Sequence, residues 1–65
     1  MATPFVIFAG KSRDELEPVV AVSNLTAALQ EAQVLGQEHK CVEAIYMPED
    51  EEDVNEIVFS QYKED

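Results

Sequence analysis

The chain's single cysteine and single histidine, Cys41 and His39, stand two residues apart at the entry to an apolar run. Alternate residues along a strand share a face, so a Cys–His nucleophilic pair is the first chemistry the pattern suggests. No third residue in the sequence is placed to orient such a pair, and the many surrounding acids disfavour the thiolate that would attack. A histidine near a helix C-terminus, where a cation suits the dipole, is the plainer reading of His39. Gly10-Lys11-Ser12 matches the end of a phosphate-binding P-loop, but that motif needs a glycine five positions before its second one, and Phe5 stands there. The tripeptide therefore reads as a turn. One Cys and one His cannot build a structural zinc site. The acidic run that begins at Glu49 lacks the central glycine and terminal glutamate of an EF-hand loop. Paired carboxylates for glycoside hydrolysis need a cleft between them, and a chain of 65 residues has little room for one. The residues thus point to binding, not catalysis, with no catalytic, metal or cofactor site.

What remains is an acidic constellation. Fourteen Asp and Glu oppose four Lys and Arg, a net charge of −10. The imbalance is uneven: residues 1–37 carry a net −2 and residues 38–65 a net −8. Glu43, the consecutive Glu49, Asp50, Glu51, Glu52 and Asp53, and Glu56 all fall within one expected hairpin, with Tyr46 among them as an apolar anchor beside Met47 and Tyr62. Same-face residues of a strand repeat every ~6.6 Å, broadly the spacing of successive phosphates, so such a hairpin can present an array resembling a nucleic-acid backbone. An acidic run is commonly a solvated loop that keeps a small protein soluble; that reading stands beside the binding one, which gains from a charge beyond the range of about 2–8 that serves solubility in a small domain. Such a charge excludes ordinary nucleic-acid binding and attraction to anionic membranes, and it favours a basic partner.

These groups need a scaffold, and the apolar pattern supplies one. Residues 5–9, Phe-Val-Ile-Phe-Ala, form a β-branched and aromatic run closed by Gly10 and read as a buried strand. Ser12-Arg13-Asp14-Glu15 has capping-box spacing for one helical turn, which Pro18 keeps short. Residues 19–22 give a second strand, antiparallel to the first. Asn24 is a helix N-cap, followed by an apolar stripe of Leu25, Ala28, Leu29, Ala32 and Leu35, with Gly36 as terminator and fraying as far as His39 left open. Residues 41–47 form a third strand closed by Pro48, and residues 55–62 a fourth. The expectation is an α+β fold, one domain over residues 1–65: β-β-α-β-β, a four-stranded sheet with one helix on one face. Strands joined through a helix are expected to be parallel neighbours. The uncovered face is expected to be polar, self-associated or the binding surface.

A chain of this length buries only ~60% of its unfolded surface and encloses no deep pocket. With one cysteine it can form no internal disulfide, and its first residues lack a basic stretch before an apolar one. A cytoplasmic protein is the expectation.

From Phe5 to about Pro48, the organisation resembles the small phage-encoded inhibitors of bacterial RNA polymerase. The shared features are a β-hairpin, a short helix opened by Asn24 with Leu25, Ala28, Leu29 and Ala32, and a strand carrying Val42 and Ile45 that ends at Pro48. In that family an acidic stripe and arginines on the third strand contact the polymerase. Here Glu31 could join such a stripe, while the third strand carries Ala44 and Tyr46, and the fourth strand and acidic loop are additional. The resemblance implies a host-takeover inhibitor, acting in the host cytoplasm, that docks on a basic, nucleic-acid-handling protein: RNA polymerase, a topoisomerase, a nucleoid protein or a defence nuclease. The rival expectation is an acidic antitoxin or assembly adaptor that binds a cognate protein through the open sheet face. A homodimer is a third.

Overall fold

The computed structural model describes residues 3–48 and 54–63, in the order β1 (Phe5–Gly10), a 3-10 turn (Arg13–Glu15), β2 (Glu17–Val22), α1 (Leu25–Glu38), β3 (Cys41–Tyr46) and β4 (Glu56–Tyr62). The four strands make one antiparallel sheet in the order β2-β1-β3-β4, with α1 packed on one face. The α+β expectation holds, and every expected element is present within two residues of its expected bounds, except the helix.

The neighbour expectation does not hold. β2 and β3, joined through α1, do run the same way, but β1 lies between them and pairs with both. The reason lies in the apolar content of the strands. Residues 5–9 are apolar on both faces, as suits a strand with neighbours on each side. β2 carries Pro18, which has no N–H for a second partner, and its pairing with β1 is bulged between Ile7 and Phe8. Both features belong on an edge.

The pleat sorts the side chains. Ile7, Ala9, Val42 and Ala44 face α1 and are buried with Ala28 and Ala32, with Phe5, Val20, Val22, Leu35, Val58 and Phe59 packed around them. Ile7 and Val42 are 0% exposed, so these two side chains are the largest wholly apolar contributors to the core.

Asn24 opens α1 as expected, its Oδ1 accepting from the Ala27 N–H at 2.8 Å. The buried spine is Ala28, Ala32 and Gly36, four residues apart, so the helix is rotated slightly from the expected stripe and Leu25 is left exposed. Gly36 is not the terminator. It lies inside the helix, which continues to Glu38 and is capped by His39, whose N–H donates to the Leu35 carbonyl at 2.8 Å. A Cβ on Gly36 would meet the Gln61 side-chain amide at 2.6 Å, so close approach of β4 explains the glycine here. Ser12 precedes the 3-10 turn but makes no side-chain cap bond.

Candidate functional site

Of the acidic constellation, Glu43, Tyr46 and Glu56 fall in the described part of the chain; Glu49, Asp50, Glu51, Glu52 and Asp53 lie outside the described residues. Tyr46 and Glu56 are brought together as direct partners across the β3–β4 ladder, at the end where β3 finishes and β4 begins. Glu56 is exposed, and Tyr46 lies against Phe5 with ring centroids 5.0 Å apart. The run 49–53 connects these same strand ends in sequence.

Glu43 is placed differently. It is half-buried on the uncovered face, where its Oε1 accepts a hydrogen bond from the Tyr62 hydroxyl. The Arg13 guanidinium sits over the other side of that interaction, its carbon 4.4 Å from the centre of the Tyr62 ring. The cation is held by the ring's negative face. Tyr62 therefore acts within the fold, between Arg13 and Glu43, and is not free to serve as an anchor. Its phenol is raised above the ordinary 10.0, first by the hydrogen bond to Glu43, then by burial and by the carboxylate's charge, with Arg13 opposing.

The segment carrying Arg13 folds across this end of the sheet. Gly10 makes the fold-back feasible, because a Cβ there would overlap the Glu15 carbonyl oxygen. Between this segment and the starts and ends of the strands is a hollow of about 640 Å³ lined by Lys11, Ser12, Arg13, Asp14, Leu16, Lys40, Cys41, Glu43 and Lys63. Lys11, Arg13, Lys40 and Lys63 are all the Lys and Arg the chain possesses. Sequence reasoning missed this gathering. The signal was available in strand direction: Lys11 follows β1, Lys40 precedes β3 and Lys63 follows β4, and in an antiparallel sheet those three termini share one end.

The C-terminal carbonyls of α1 are served from β4. The Gln61 side-chain amide donates to the carbonyls of Gly36 at 2.9 Å and His39 at 3.4 Å, and the Lys63 ammonium lies 3.5 Å from the Gly36 oxygen. With no basic residue in the helix's own last turn, a lysine from the neighbouring strand meets the negative end of the dipole.

The uncovered face also carries an apolar row. The registers Ala21↔Val6, Val6↔Ile45 and Ile45↔Ile57 align these four side chains across all four strands. Ile57 is 58% exposed. The row lies toward the Tyr46–Glu56 end, away from the basic hollow.

No family model, curated protein or solved structure matches this chain. Among the described residues, no group of three or more His, Cys, Asp or Glu could hold a metal ion, and no helix is long and apolar enough to cross a membrane. Cys41 is a free thiol, 2% exposed.

Proposed function

We propose that the chain is a non-catalytic binding protein of the host-takeover kind, which occupies a basic, nucleic-acid-handling surface of a bacterial protein such as RNA polymerase, a topoisomerase, a nucleoid protein or a defence nuclease. The supporting observation is that every base of the chain lies at one end of the sheet. Glu56 and the strand termini that bracket the five consecutive acids are at the other. The basic end also holds Asp14, Glu15, Glu17 and Glu43, so the end at which the strands bracket residues 49–53 is the one without bases, and docking by that end gains a steering field. The apolar row at Val6, Ile45 and Ile57 lies beside that acidic end and offers anchors where steering would deliver them. Tyr46 and Glu56 are the described candidate contacts, together with residues 49–53.

Capture of lysate proteins on the immobilised chain, eluted by a salt gradient, tests the reading. The expected result is retention of a nucleic-acid-binding protein that elutes at moderate salt, that competes with DNA or RNA for the chain, and that is lost when residues 49–53 are changed to Asn and Gln. Capture that ignores both salt and that substitution removes the proposal.

One observation favours a second reading. The open-face row, half-buried at Val6 and Ile45 and exposed at Ile57, suits an antitoxin or adaptor whose cognate partner covers that face. Under that reading Ile57→Ser abolishes capture while neutralising residues 49–53 barely weakens it.

A further inference from the structure

We propose that the basic hollow is a seat for a small phosphate-bearing dianion, a second site at the opposite end of the sheet from the strand ends that bracket residues 49–53 and independent of whether a protein binds there. Four cations and two carboxylates, Asp14 and Glu43, line it, a net of plus two in a chain of net −10. The fold brings the four bases together from three separate stretches of chain, with Glu15 and Glu17 lining the adjoining hollow beside Lys11 and Asp14. A phosphomonoester carries about −1.5 to −2 at neutral pH, which matches that excess. The hollow's size falls within the roughly 300–1,000 Å³ of small-molecule sites, so it admits a phosphate with an organic group attached.

The lining residues divide the work. Arg13 is pre-oriented by the Tyr62 ring, which holds the guanidinium while leaving its edge N–H groups able to fork toward oxygens. Lys11, which is exposed, and Ser12 both line the hollow. Lys63 already leans toward the Gly36 carbonyl at the negative end of α1, so it adds field to the wall. Lys40 already interacts within the protein and contributes field to the wall. Glu43 sets the affinity: its carboxylate reduces the positive field, and its bond to Tyr62 fixes the ring under Arg13. Gly10-Lys11-Ser12, too short of glycines for a nucleotide loop, here supplies a lysine and a hydroxyl to a different kind of phosphate site.

Titration of the isotopically labelled chain with inorganic phosphate and with pyrophosphate, followed by amide NMR shifts, tests the site against chloride at matched ionic strength. Saturable shifts confined to residues 11–16, 40–43 and 62–63 are expected, stronger for pyrophosphate. Lys11→Gln should weaken the binding roughly tenfold, as loss of one charge-assisted contact does. Glu43→Gln should tighten it roughly threefold, because one like charge is removed while the amide oxygen still accepts from Tyr62. Absence of saturable shifts, an equal response to chloride, or shifts that follow protein concentration instead of phosphate would overturn the proposal, the last by placing another copy's acids in the hollow. Unchanged binding in both variants overturns it as well.

Discussion

Glu43 shows how little a residue's charge reveals of its task. By sequence it belongs with the acidic hairpin; by placement it faces the chain's bases and holds a tyrosine. Its effect on Tyr62 is open to measurement. The phenolate of Tyr62 would confront the Glu43 carboxylate, so the folded chain keeps the proton longer than the unfolded chain does. A folded value raised above 10.0 means that stability is whole below that pH and drains away as pH climbs through the folded value, because only the unfolded state has then lost the proton. An NMR titration of the Tyr62 ring should place its midpoint above the ordinary tyrosine range in the parent and closer to that range in Glu43→Gln. In Tyr62→Phe this contribution to alkaline loss of the urea midpoint should disappear; an identical alkaline profile would show that the pair has no such linkage. At the core, Ile7→Ala removes a fully buried branched side chain between α1 and two strands. It should cost about 2–5 kcal/mol in urea denaturation, enough to unfold a domain this small. A cost below about 1 kcal/mol would mean that Ile7 is not the keystone its burial indicates.

At the scale of elements, the strands and the helix start were legible because each is written locally: β-branched runs ended by Gly10 or Pro48, and Asn24 before a three-and-four spacing of apolar residues. The pairing of strands was less so, since a helical connection can return beside its own strand or skip one. The deciding marks were present in Pro18 and in the doubly apolar 5–9 run, but they act through position in a sheet and have no local signature. Gly36 misled for a related reason. A glycine after an apolar stripe commonly ends a helix, whereas here it answers to Gln61, twenty-five residues away. That difference predicts a double-mutant cycle. Ala in place of Gly favours a helix by roughly 1 kcal/mol, but the added Cβ must push aside the Gln61 amide, whose bond to the Gly36 carbonyl is worth about 0.5–1.5 kcal/mol. Gly36→Ala alone should therefore change stability little. In a Gln61→Ala background, where the three atoms nearest the Cβ are gone, the same substitution should stabilise by about 1 kcal/mol. Equal effects in both backgrounds would show that the glycine does not answer to β4.

For the whole molecule the governing quantity is a net charge of −10 on 65 residues, distributed so that bases and the strand termini around the acidic run lie at opposite ends of the sheet. Composition announced the charge but not its direction, because the stretches carrying Lys11 and Arg13, Lys40, and Lys63 are far apart in sequence and converge only through folding. The acidic run should weigh against the folded state. Two like charges about 10 Å apart in water repel by about 0.4 kcal/mol, so five of them acting on each other and on the remaining acids sum to the order of 1 kcal/mol or more. Screening sets the condition for seeing it, since the Debye length shrinks from about 30 Å at 0.01 M salt to about 3 Å at 1 M. Changing residues 49–53 to Asn and Gln should therefore raise the urea midpoint clearly at low salt and scarcely at all at 1 M. The parent's own midpoint should climb with salt more steeply than the variant's. A gain that persists undiminished at 1 M would mean that the substitutions act through local conformation and not through repulsion. If the gain vanishes with salt as expected, the run is an electrostatic burden on folding, one that a partner's positive surface would relieve on binding.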